Sequence, residues 1–141
     1  MKIPEGIKVY GDLKYRGECP KESAEQITYV NRIRSKYPKS YGLLVCHVKN
    51  EQKLVNGQFQ AIAMDRAMGM AVGCPDIFIP GKRAFVCEIK RQDPTKSKIS
   101  DEQIAYLLAA QKNGAFVCVA LGCNAATEAF DDWVKLNADK N

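Results

Sequence analysis

The chain has a single histidine and a single tryptophan in 141 residues, and its six cysteines include no C-x-x-C pair. With His47 as the sole imidazole, a structural zinc site has no ligand set at usable spacing. Cys46, Cys87 and Cys118 stand in apolar, strand-like runs, where a free thiol behaves as a small hydrophobe. Cys74 and Cys123 follow glycines, and Cys19 lies near the N-terminus. Met1 to Gly6 carries no apolar signal core, so the thiols are expected to be reduced and the protein cytoplasmic. The longest apolar runs, such as Ala115 to Gly122, fall well short of the roughly 20 residues that a membrane-spanning helix needs. Internal repeats, low-complexity tracts and Pro/Ser-rich linkers are also absent.

What is present describes one globular domain with an ordinary balance, 46% hydrophobic and 26% charged. Residues 1–20, rich in Gly, Pro and Lys, read as an irregular lead-in to a single domain over 21–141. Ser23 to Arg34 reads as a helix that buries Ala24, Ile27, Val30 and Ile33. Leu43 to Val48 reads as a strand and Phe59 to Met70 as a second helix, with Met64, Met68 and Met70 as core filling or a contact surface. Two strands follow around Pro80-Gly81-Lys82-Arg83. Ser100-Asp101-Glu102-Gln103 then has the form of a capping box for a helix that stops at Asn113-Gly114. Ala115 to Leu121 is apolar enough for a strand covered on both faces, and Ala125 to Leu136 closes the chain as a helix. The order α-β-α-β-β-α-β-α predicts an α/β fold, a mixed β-sheet flanked by α-helices. Tyr106 and Trp133 read as packing residues.

The chemistry gathers on the hairpin. Asp76 follows Gly73-Cys74-Pro75 and opens the strand Ile77-Phe78-Ile79; the next strand ends in Glu88-Ile89-Lys90. Strand alternation puts Glu88 and Lys90 on one face and Phe85, Cys87 and Ile89 on the other. Pairing across the turn lets Asp76 approach Glu88, so that two carboxylates and an ammonium meet at one sheet edge. That set can hold Mg²⁺ beside a phosphodiester and activate water against it. The net charge of +5 is compatible with a polyanionic partner, and Lys82, Arg83, Lys90, Arg91, Lys96 and Lys98 flank these strands.

Taken in order, these residues resemble the VRR-NUC (virus-type replication-repair nuclease) family of the PD-(D/E)XK nuclease superfamily, of the stand-alone phage or prophage type. The likeness runs from about Glu22 to Trp133 through Glu25-Gln26, His47, Gly69, Gly73, Pro75-Asp76, Glu88-Ile89-Lys90, Ser100 to Gln103 and Gly114. In that family the histidine is soon followed by Asn and Gly; here Asn50 stands alone and Asn56-Gly57 come later. The resemblance implies that Asp76, Glu88 and Lys90 are catalytic. It also implies that Asp76, Glu88, the Ile89 carbonyl and Glu25 hold Mg²⁺ or Mn²⁺, and that Gln103, His47, Arg91, Lys96 and Lys98 support the site or contact nucleic acid. The implied activity is metal-dependent endonucleolytic hydrolysis of DNA, branched or duplex, by a homodimer without membrane attachment. A non-cleaving phage DNA-binding accessory protein on the same scaffold is the alternative, and an RNase would use the same chemistry.

Overall fold

Alternation along two strands fixes the layers of the molecule. In β3 (Phe85–Lys90), Phe85, Cys87 and Ile89 enter one core, whereas Val86 enters another. In β4 (Phe116–Leu121), Cys118 and Ala120 join the first core, and Val117 and Val119 the second. Every residue of β3 is buried, as befits a strand covered on both faces. The computed structural model describes residues 1–48 and 59–138. Its sheet has the order β1-β4-β3-β2, with β4 parallel to both β1 (Lys8–Tyr10) and β3. The last strand, β2 (Ile77–Ile79), is antiparallel to β3. Helices α1 (Glu22–Lys36) and α5 (Cys123–Ala138) supply the first core, and α4 (Asp101–Lys112) the second. The short α2 (Tyr41–Leu44) and α3 (Phe59–Ala67) lie between α1 and β2 in the chain. No described helix is long and apolar enough to cross a membrane, and all six cysteines are free thiols.

Four expectations are revised. The lead-in is not wholly irregular: Lys8–Tyr10 form an edge strand registered against Cys118–Ala120. Leu43 to Val48 is not a strand. Its first residues close a helical turn against α1, where a side chain on Gly42 would sit 2.7 Å from the Arg34 Cα, and Leu43 is 75% exposed. Only Cys46 reaches the sheet, exchanging backbone hydrogen bonds of 3.0 Å with Phe78. Helix α1 buries Glu25, Tyr29 and Ile33, leaving Ile27 63% exposed. Met64 on α3 and Met68 in the turn after it are exposed, which excludes core filling for both. Asn50 and Asn56-Gly57 lie outside the described residues.

Trp133 is fully buried among Tyr41, Phe85 and Phe130, with ring centroids 5.2, 5.4 and 5.9 Å away. Tyr106 packs against the second core, so both aromatics are packing residues as read. The same interior carries a cost: the Tyr29 hydroxyl is buried with no hydrogen-bond partner among the described residues. An unsatisfied buried hydroxyl is destabilising. Tyr29→Phe is therefore expected to raise the melting temperature, by about 1 kcal/mol in unfolding free energy. A lower melting temperature would mean that the hydroxyl is served.

Candidate active site

The turn before β2 delivers the first carboxylate. Gly73 adopts φ +75°, and a side chain there would collide with the Glu102 carbonyl, so its backbone lies directly against the first turn of α4. From that anchor the chain enters β2, whose register Ile77↔Cys87 puts Asp76 beside Glu88. The Asp76 N–H donates to Glu88 Oε2 at 3.3 Å, and the Ile89 N–H donates to Asp76 Oδ2 at 2.9 Å. Lys90 Nζ lies 3.3 Å from Glu88 Oε1.

Gln103 locks the arrangement from α4. The capping box forms as expected: Ser100 Oγ accepts from the Gln103 N–H at 3.1 Å, and Gln103 Oε1 accepts from the Ser100 N–H at 2.9 Å. The same side chain donates from Nε2 to Glu88 Oε1 at 2.8 Å, while its Oε1 also faces Lys90 Nζ at 3.5 Å. One amide thus ties a helix start to both an acid and a base. Gln103→Ala is expected to cost about 2 kcal/mol in denaturant unfolding, because it loses the cap and the 2.8 Å hydrogen bond to buried Glu88. Gln103→Glu, which preserves a capping box, should recover only part of this loss, since it cannot donate to Glu88. Full recovery would reduce Gln103 to a cap.

Charge at this edge is out of balance. Burial, then the neighbouring Asp76 carboxylate, push the Glu88 pKa up to about 8, and Lys90 offsets only part of that. Burial also raises Asp76, against the Ile89 N–H and Lys90, which lower it. A buried and a half-buried carboxylate crowded around one ammonium favour a further positive charge. The donors are all hard oxygens, and Mg²⁺ is characteristically held by one or two carboxylates with water and substrate phosphate completing its shell. The residues present therefore fit such an ion. Among the described residues no three His, Cys, Asp or Glu side chains form a protein-only cage.

The remaining expected residues divide. His47 Nδ1 lies 2.7 Å from the Asp76 carbonyl oxygen, a contact that requires a protonated Nδ1, so it braces the Asp76 backbone from the rim. Lys98 lines an open cleft of about 760 Å³ together with Lys21, Glu22, Lys90 and Gln103. Arg91 and Lys96 also line it, but their charged ends hold the segment before α1. The Arg91 guanidinium donates to the Cys19 and Pro20 carbonyls at 2.7 and 3.0 Å, and Lys96 Nζ to the Gly17 carbonyl at 2.7 Å. Asp93 completes this strap by accepting from the Gly17 N–H, and hydrogen bonds from Thr95 and Gly17 hold its pKa down to about 2. Lys82 and Arg83 sit at the far end of the hairpin, because the turn follows Ile79↔Phe85 whereas the site precedes Ile77↔Cys87.

Glu25 is placed elsewhere. Its carboxylate accepts from Gln92 Nε2 at 3.0 Å and from the Cys123 N–H, capping α5. The carboxylate that α1 presents to the cleft is Glu22, whose charge raises Asp76 and whose Oε1 accepts from Ser97 Oγ at 2.6 Å. Glu22 was missed by sequence reasoning. The available signal was helix phase: Glu22, Glu25, Tyr29 and Ile33 form one stripe, and its first member overhangs the sheet edge.

No family model matches the chain, and no match was found among curated proteins. Among solved structures the chain is similar to one named "VRR_NUC domain protein", with a TM-score of 0.65 and 19% identity, covering 84% of this chain and 92% of that chain. At that identity the likeness establishes the fold: an α/β chain with a mixed four-stranded sheet flanked by helices, shared with a VRR_NUC domain protein.

Proposed function

We propose that the protein is a Mg²⁺- or Mn²⁺-dependent nuclease of the VRR-NUC type that hydrolyses phosphodiester bonds in DNA. The observation that carries this reading is the convergence of Asp76 and Glu88 on Lys90 and Gln103, the last two lining a cleft that Lys21 and Lys98 also line. Asp76 and Glu88 would hold the ion, with Glu22 adding negative charge from α1. An extended residue directs its N–H and C=O to the same side, so the Ile89 carbonyl faces Asp76 as its N–H does and is a further ligand candidate. When bound, the ion supplies Lewis-acid activation of a water and neutralises charge on phosphorus.

Lys90 then has a defined task. Its ammonium sits where it can orient the attacking water and stabilise negative charge developing on phosphoryl oxygen. Gln103 keeps Glu88 and Lys90 aligned. Exposed Lys21 and Lys98 would receive flanking phosphates, which confers affinity without sequence choice. The family resemblance extends the reading to branched DNA cut by a homodimer, whose two sites suit paired cuts.

The test is cleavage of a four-way junction, a flap, linear duplex, single-stranded DNA and RNA, with Mg²⁺, Mn²⁺ or EDTA, beside Lys90→Ala. Metal-dependent cutting that Lys90→Ala abolishes is the expected result. Tight binding without cutting under either metal would replace the nuclease reading by that of a non-cleaving DNA-binding protein.

A further inference from the structure

A second cleft, of about 310 Å³, opens at the carboxyl ends of β1 and β4, and its polarity is opposite to that of the first. No Lys or Arg lines it. Its walls are the Tyr15 ring and Leu121, and its polar groups are Gln92, Asn124, Asp12 and Glu128. Gln92, on its wall, lies two residues beyond Lys90, at most about 7 Å of chain, and the Gly122 N–H, next to Leu121, donates to the Lys90 carbonyl at 2.9 Å. A basic cleft and an aromatic one with no Lys or Arg on its wall, linked through these residues, have the polarity of a nucleotide, with phosphate on one side and base on the other.

We infer that the Tyr15 cleft binds an unpaired nucleobase of the nucleic-acid substrate next to the phosphate held at Lys90. Three features support this. The Tyr15 hydroxyl donates to the Glu18 carbonyl at 2.7 Å, which fixes the ring as a stacking surface while Tyr15 stays 37% exposed. Gln92 spends its Nε2 on Glu25, leaving Oε1 to accept, and Asn124 spends Oδ1 on Arg32 at 2.9 Å, leaving its Nδ2 to donate. With the Asp12 and Glu128 carboxylates the cleft holds more acceptors than donors, so it favours bases with an exocyclic amino group over thymine. A base can lay its face on the Tyr15 ring only when it is out of the stack, and the Asp12 and Glu128 carboxylates disfavour a phosphate at this lining. The inference rests on the nuclease reading for its substrate and narrows that substrate to DNA or RNA with an unpaired nucleotide beside the cut.

Nucleoside titration into metal-free, isotopically labelled protein, followed by two-dimensional NMR, separates this inference from the nuclease reading because it needs no cleavage. Deoxyadenosine and deoxycytidine should shift the Gln92 and Asn124 side-chain amides saturably and bind several-fold tighter than thymidine, whereas inorganic phosphate should leave those amides unmoved. Tyr15→Ala should weaken binding roughly five- to a hundredfold, and Tyr15→Phe, which keeps the ring but loses its tie to the Glu18 carbonyl, should weaken it much less. Shifts from phosphate, equal binding of thymidine, or shifts confined to other residues would overturn the inference even if the protein proves to be a nuclease. Should Tyr15→Ala fail to fold, the wild-type shift map and Tyr15→Phe decide the matter.

Discussion

Glu88→Gln is expected to abolish metal-dependent cleavage and at the same time to stabilise the metal-free protein at alkaline pH. The loss of activity, roughly a thousandfold or more, follows from removing one of two carboxylates that would hold the ion and from unbalancing the partner of Lys90. The gain in stability follows from the sign of the Glu88 shift. Its pKa is about 8 in the folded chain against 4.5 for a free side chain, so the folded state holds a proton that the unfolded state releases. That contribution is complete below about pH 4.5 and is lost as pH rises through 8. Wild-type protein in EDTA should melt at progressively lower temperature across this window. Glu88→Gln, which keeps an acceptor for Gln103 Nε2, should flatten the profile. Parallel profiles for the two proteins would refute the assignment. The same proton competes with metal, so apparent affinity for Mg²⁺ should fall as pH drops below 8.

Trp133→Ala should be the most damaging single change to the fold, costing about 3–5 kcal/mol in urea unfolding. The indole is fully buried, so truncation leaves a large cavity between α5, β3 and α2. It also strips a 2.7 Å hydrogen bond from the Arg83 carbonyl. Trp133→Phe keeps most of the ring contacts and loses that bond, so its penalty should be closer to 1–2 kcal/mol. Because Arg83 belongs to the hairpin turn away from Asp76, whatever fraction of Trp133→Phe stays folded should cleave at the wild-type rate. A specific activity reduced beyond the folded fraction would show that the turn and the site are linked.

The placement of Asp76 beside Glu88 was legible because period-two alternation and a five-residue connection leave little freedom: once Ile77 faces Cys87, Asp76 meets Glu88. Ser100 and Gln103 were legible as a cap by spacing alone, whereas the second use of the Gln103 amide depends on α4 lying against β3 and is invisible in one dimension. Helix α1 was read partly out of phase. Of the stripe Ala24, Ile27, Val30 and Ile33, Ile33 is buried and Val30 packs against the core, but Ala24 and Ile27 are exposed because the buried face carries Glu25, whose carboxylate caps α5, and Tyr29. Arg91 and Lys96 looked like phosphate contacts because nothing local announces that backbone carbonyls some 70 residues earlier would claim them. A three-residue strand such as β1 has too short a pattern to stand out from a lead-in.

Strand order also has a consequence for a chain still being made. Lys8 waits for Cys118, and β3 waits for the same strand, so β4 joins both halves of the sheet. The hairpin carrying Asp76 and Glu88 emerges from the ribosome well before β4, and until β4 follows it has no sheet to complete and no α5 to bury its other face. The placement of Asp76 and Glu88 at a supported sheet edge is therefore complete only once β4 has paired with β3. Pairings this distant in sequence also make for slow closure once the chain is free.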